Sequence, residues 1–159
     1  MTIDKATAWK QKLAQSRMAL RLLLTSLKPE DWQTSIYGEG KSWTVSTVVS
    51  HLIEAERGMS IHVHKIRKGE ETIPEGFDLD RWNAGVQKRM GALTPDELLS
   101  GLAEMRAKTL EVMDTIRDEE WALTGRHASR GIITIEQYYE TMYGHELMHT
   151  QDIKEALRL

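Results

Sequence analysis

Thr44-Val45-Ser46-Thr47-Val48-Val49-Ser50-His51-Leu52-Ile53 is rich in β-branched residues, and whether it is strand or helix decides the class of the fold. A half-buried strand needs apolar residues that alternate with polar ones. Here the apolar positions run Val45, Val48, Val49, Leu52, Ile53, Met59, Val63 and Ile66 and stop near Gly69. That is a spacing of threes and fours over roughly six turns, so the stretch predicts an amphipathic helix with Thr44 as its N-cap.

The same reading extends in both directions. Residues 4–27 place Trp9, Leu13, Leu20, Leu23, Leu24 and Leu27 on one stripe, ended by Pro29. Residues 28–42 read as a loop that contains Trp32, Tyr37, Gly38 and Gly40. After a polar connector, residues 79–90 read as a short helix. Thr94-Pro95-Asp96-Glu97 then combines a capping Thr, a first-turn Pro and a Glu three residues after the cap. The helix that follows carries Leu98, Leu102, Met105, Val112, Met113 and Ile116. Residues 124–133, rich in Gly, Ser and Arg, read as loop, and Thr134 with Gln137 caps a last helix from Ile135 to about Leu157. The expected architecture is all-α, a four-helix bundle with a short extra helix before the third long one.

Composition narrows the function. A chain of 159 residues, 40% of them hydrophobic, suits a single domain over residues 1–159. A net charge of −3 gives no electrostatic footprint for nucleic acid or an anionic membrane. There is no cysteine, which removes disulfides, thiolate ligands and a cysteine nucleophile. No leader and no bilayer-length apolar run is read, so the expected location is the cytoplasm.

The last helix carries His145-Glu146-Leu147-Met148-His149. Four helical residues advance ~6 Å and return to nearly the same face, so both imidazoles can grip one cation. As a pattern this is HExxH, which in zinc peptidases supplies two ligands and a glutamate base. Those enzymes take a third ligand downstream, and the extended motif meets Glu155 where it needs a histidine. A third ligand must be sought upstream. His127 lies in a loop beside Arg126 and Arg130, and His62 and His64 lie among Lys65, Arg67 and Lys68; all three read as solvated. His51 borders the apolar stripe of the second helix, where it is either a hydrogen-bonded core residue or a ligand. Ala55 and Gly58 follow it on the same face and leave space beside the ring, which suits a metal with an exchangeable position.

Trp43-Thr44-Val45, His51-Leu52-Ile53-Glu54-Ala55-Glu56, Phe77-Asp78-Leu79-Asp80-Arg81-Trp82-Asn83 and Gly144-His145-Glu146-Leu147-Met148-His149 together resemble the DinB-like superfamily, in order and spacing and over essentially the whole chain. The resemblance implies a four-helix bundle that holds a divalent cation by His51, His145 and His149. Zinc or nickel is expected ahead of iron, manganese or copper. Many relatives have Gln three residues after the last histidine, where this chain has Asp152. Asp152 shares the ligands' face, as an acceptor that fixes a ligand's tautomer, a fourth ligand, or a solvated carboxylate.

Three neutral imidazoles leave the cation its full charge and an open position, the arrangement of a catalytic site. The resemblance implies a metal-dependent thiol transferase using low-molecular-weight thiols, or a hydrolase of small substrates; the competing expectation is a non-catalytic metal- or ligand-binding stress-response bundle. Glu54 and Glu146 are the expected catalytic carboxylates, and Tyr138 a hydrogen-bond donor near the site or a core residue. Trp43 and Trp82 are expected to lock loops to the bundle. The expected partner is a small molecule rather than nucleic acid or membrane, and a homodimer is expected.

Overall fold

The computed structural model describes residues 3–37, 43–90 and 93–159, with side-chain surroundings for all of these but Met90. Gly38 and Gly40, read above as loop glycines, lie outside the described residues. The contested stretch is a helix, as its spacing predicts. In chain order the long elements are α1 (Lys5–Thr25), α2 (Val45–Arg67), α3 (Leu79–Met90), α4 (Pro95–Met113) and α5 (Ile135–Ala156). Each anticipated cap forms: Thr44 Oγ1 accepts from the Thr47 amide, Thr94 from Glu97 and Thr134 from Gln137. Glu97 and Gln137 reach back to the cap amides, so two otherwise orphaned donors are satisfied at each start.

The four long helices form the bundle. α1 packs on α4 and α5, and α2 packs on the same two, which puts α1 and α2 on one diagonal. α3 lies against α2. Two apolar layers fill the interior. One gathers Leu13, Met59, Val63, Met113, Tyr138 and Met142; the other gathers Leu20, Val48, Leu52, Leu98, Leu102 and Ile153. Val112, expected on the buried stripe of α4, is 40% exposed, because the packed face follows Leu98, Leu102, Met105, Thr109 and Met113 instead.

Between these layers lies a buried quartet of charges, one from each long helix: Arg17, Glu56, Arg106 and Glu146. Arg17 donates to Glu146 Oε2 at 2.6 Å and to Glu56 Oε1 at 2.8 Å. Arg106 donates to both oxygens of Glu56, at 2.8 and 3.1 Å, and to both of Glu146, each at 3.2 Å. Ser16 and Thr109 complete the shell, and the remaining guanidinium donors reach the carbonyls of Leu102 and Leu13. The charges cancel and nearly every donor is matched, which is what makes burial of ions tolerable.

Two connections depart from the sequence reading. The first includes a 3-10 turn, Pro29–Gln33, that buries Trp32. The segment 124–133, expected to be loop, is mostly an antiparallel hairpin of β1 (Thr124–His127) and β2 (Gly131–Thr134), paired from Thr124↔Thr134 to His127↔Gly131. Strand one, Thr-Gly-Arg-His, shows no apolar alternation, so its pairing left no period-two signal. Packing fixes it instead. A side chain at Gly125 would stand 2.5 Å from Ile66, so β1 can approach α2 only with glycine there. Among the described residues no helix is long and apolar enough to cross a membrane.

Removing one member of the quartet should strand its partners. Arg106→Met is expected to lower unfolding free energy by roughly 3–5 kcal/mol in urea titration. Acid should act through the same kind of group. Arg106 and Arg17 hold Glu56 below the usual 4.5 despite its burial, and Arg67 holds Glu120 at about 2. A carboxylate with a depressed folded-state pKa contributes stability above about pH 4.5 that is lost as pH falls through its folded value. Urea midpoints should therefore fall from about pH 5 to about pH 3, and fall less in Glu120→Gln.

Candidate metal centre

α2 presents His51 from mid-helix, and α5 presents His145 and His149 one turn apart. The three rings meet. His51 Nε2 lies 2.9 Å from His145 Nε2, and His149 Nε2 lies 3.0 Å from His145 Nε2. Nitrogens bound to one zinc at ~2.0–2.1 Å with tetrahedral angles stand about 3.3 Å apart, so a few tenths of an ångström of opening admit a cation. His51 and His149 are almost wholly buried and His145 is half-buried. Burial, with repulsion from His149 second, pushes His145 down to about 4; burial also lowers His149, while Asp152 pulls it back. These two imidazoles are thus neutral near pH 7, the form that coordinates. The cluster is capable of binding a divalent metal ion.

Tyr37, which sequence reading treated only as a loop aromatic, organises the site. Its hydroxyl lies 2.6 Å from Asp152 Oδ2 and 2.7 Å from His149 Nδ1. An ionised carboxylate only accepts, so the phenol donates to Asp152 and its oxygen receives Nδ1–H from His149. That assignment leaves the His149 Nε2 lone pair pointing at the other two rings. Asp152 therefore reaches His149 through Tyr37, its own oxygen lying 3.9 Å from Nδ1. Burial and the Asp152 charge push the Tyr37 phenol upward, so it keeps its proton. Trp43 packs against the His51 ring, with centroids 4.9 Å apart and the planes tilted by 56°, and meets Tyr37 edge-on.

The other expected site residues lie elsewhere. Glu146 points into the charged quartet, where both of its oxygens are taken by Arg17, Arg106 and Ser16. Glu54 is held by Arg57 and does not line the cleft. The Tyr138 hydroxyl donates to the Arg126 carbonyl at 2.8 Å and ties the hairpin to α5, the packing alternative for this residue. His62 and His127, expected to be solvated, are half-buried in the wall of the cleft that leads from the triad. The cleft has a volume of about 1140 Å³. Ala55 and Gly58 line it beside His51, and Trp82 forms a wall, its ring 3.8 Å from where a Cβ on Gly58 would stand. One signal for His62 was present in the sequence: it follows His51 by three turns on the face that also carries Ala55 and Gly58. Neither Tyr37 nor His127 had such a marker, since both reach the cleft from irregular or short elements.

Comparison with known proteins agrees with this geometry. Residues 12–153 match the family model described as the DinB superfamily. No curated protein matches the sequence significantly. Among solved structures, YfiT from Bacillus subtilis, described as a probable metal-dependent hydrolase with an unusual four-helix bundle topology, superposes with a TM-score of 0.80. It is 24% identical, over 99% of this chain and 89% of that one. A mycothiol-dependent maleylpyruvate isomerase gives a TM-score of 0.75 at 17% identity, over 96% of this chain and 63% of that one. The colibactin self-resistance protein ClbS, solved with double-stranded DNA, gives 0.76 at 14% identity over 100% and 99%. At these identities the likeness is one of fold.

If Tyr37 sets the tautomer of His149, Tyr37→Phe should weaken zinc binding by roughly 10–100-fold in a competition titration with a chromogenic chelator while the helical spectrum stays unchanged. Asp152→Asn should fall in the same range. Wild-type affinity in both variants would remove Tyr37 and Asp152 from the account.

Proposed function

Since the chain belongs to the DinB superfamily, we propose that it is a metal-dependent enzyme acting on small molecules, with His51, His145 and His149 as the ligands of a divalent cation. The observation that carries this reading is the convergence of three ring nitrogens at the end of an open cleft. A non-catalytic binder would be expected to seal its ion behind side chains; here His51, His145 and His149 all line the cleft, so an incoming molecule can reach them.

Bound there, a divalent cation, zinc or nickel first, supplies a Lewis acid that lowers the pKa of a coordinated water or thiol toward neutrality. The chain's own groups do the rest. Tyr37 and Asp152 hold His149 in its coordinating tautomer. Of the two carboxylates that line the cleft, Asp152 and Asp80, only Asp152 is linked to the triad, and it is the group we assign to receive a proton released there. Glu146 we assign to the scaffold, because a base whose two oxygens are each bonded to arginine has no lone pair to offer without breaking the quartet. The apolar walls, among them Trp82, Met59 and Ile73, exclude water from the substrate.

For the reaction we favour transfer of a low-molecular-weight thiol to an electrophile, with hydrolysis of a small substrate as the alternative. The absence of cysteine fits a sulfur that arrives with the substrate, and the thiol-dependent isomerase is a relative in fold. The test is direct. Protein purified without chelator should contain one divalent ion per chain, and the cobalt-substituted form should develop a sulfur-to-metal absorption band on titration with bacillithiol. Turnover of a chlorodinitrobenzene acceptor should follow and be lost in His149→Ala. Stoichiometric metal with no response to thiols and hydrolysis of an ester panel would select the alternative.

A further inference from the structure

The cleft has two polar ends. His51, Ala55, Gly58 and His62 succeed one another on one face of α2, so its floor runs ~16 Å from the triad along small side chains. α5 runs beside it in the opposite sense, from His149 and His145 to Thr141. At the far end Lys65, Thr72 and Thr141 meet the hairpin residues His127 and Ser129, with apolar walls between the two ends.

We propose that this far end, built on Lys65 and His127 beside His62, binds an oxyanion, the carboxylate or phosphate of an elongated substrate whose reacting atom lies at the imidazole triad. The proposal rests on reading the triad as the reactive centre. Three observations carry it. First, Lys65 is half-buried and the only hydrogen bond of its ammonium group among the described residues is a long one, 3.4 Å, to the Thr72 carbonyl. Neither cleft carboxylate pairs with it: Asp152 is engaged by Tyr37, and Asp80, on α3, makes no ion pair among the described residues. A lysine that borders an apolar cleft without a counter-charge is a place where an anion is gained at little desolvation cost.

Second, the hairpin fixes the tautomer of His127. Its Nδ1 accepts the amides of Ser129 and Arg130 at 3.1 and 3.2 Å, so the proton is on Nε2, which has no partner among the described residues. His127 is a preset donor in the cleft wall. The Tyr138 hydroxyl, already donating to Arg126 O, can only accept from His62 Nδ1, 3.5 Å away, so a neutral His62 is left with a lone pair on Nε2 and lines the far end without donating to an anion. Third, the field is one-sided. Apart from burial, what depresses His62 is the charge of Lys65, and among the groups that depress His127 the one that is charged at neutral pH is Arg130. No carboxylate offsets them, whereas Asp152 does so at His149. Arg130 is turned to Gln137 O, Thr141 and Glu140, so it adds to the field without occupying the cleft. An anion is the missing member of this set.

The experiment is a titration of the protein, metal-free and zinc-loaded, with inorganic phosphate, with acetate and with chloride as control, followed by the imidazole NMR signals of each histidine. Saturable shifts at His62 and His127, at least ten-fold weaker in Lys65→Met and absent with chloride, are expected. Lys65→Met removes a group with one weak contact, and unchanged spectra elsewhere will show that the fold is kept. A stronger response to phosphate than to acetate identifies a phosphoryl substrate, and the reverse a carboxylate. Linear, unsaturated shifts, or saturation equal in Lys65→Met, overturn the proposal. Zinc uptake with no response at His62 and His127 sinks this inference and leaves the metal reading intact; anion saturation without zinc uptake does the converse.

Discussion

The constraint on which the rest depends is the cancellation of four charges in the bundle's interior. Arg17, Glu56, Arg106 and Glu146 come one from each long helix, and the geometry in which all of them are satisfied fixes how far each helix slides along its neighbours. A slip of one residue on any helix would bury an uncompensated ion, a cost comparable to the whole stability of a domain this size. Glu146 sits next to His145 in sequence, and Glu56 lies five residues after His51. The register that satisfies the quartet is therefore the register that brings His145 Nε2 within 3.0 Å of the Nε2 atoms of both His51 and His149. Scaffold and site are set by one arrangement.

Much of this was readable beforehand because it is local. Helix starts depend on a cap and a residue three places on, and Thr44, Thr94 and Thr134 announced theirs. The spacing of Val45 to Ile66 distinguished helix from strand despite β-branched content. His145 and His149 stood out as two imidazoles one helical turn apart, and His51 because an imidazole beside an apolar stripe demands an explanation. What was hidden depends on contacts distant in sequence. Arg17 and Arg106 look like ordinary surface residues until their partners on other helices are placed. Glu146 was expected beside the imidazoles for a related reason: HExxH spacing describes one helix face in isolation, and the face carrying the glutamate turns toward two arginines. The hairpin escaped because Thr-Gly-Arg-His has no period to detect. Tyr37 escaped because nothing in a loop sequence says which helix its hydroxyl will meet.

The division between a rigid interior and an open edge explains how one bundle carries both stability and chemistry. α1 and α4 contribute to the quartet and the apolar layers, while the cleft lies along α2 and α5, roofed by α3 and the hairpin. Small residues at positions 55 and 58 keep the cleft from filling, and Trp82 lines it without closing it. Both ends carry histidines whose tautomers are set by neighbours: Tyr37 and Asp152 at the triad, two backbone amides at His127. Donor and acceptor directions are fixed before any ligand arrives, which is what lets polar groups act at little reorganisation cost.

The central claim is that His51, His145 and His149 share one cation. X-ray absorption at the zinc edge, on protein loaded with one equivalent, tests it most directly. The account predicts scattering from three imidazoles with nitrogens at ~2.0–2.1 Å and at least one further light atom, reduced to two imidazoles in His51→Ala. A wild-type spectrum fitted by two or fewer imidazoles, or one that His51→Ala leaves unchanged, would contradict it.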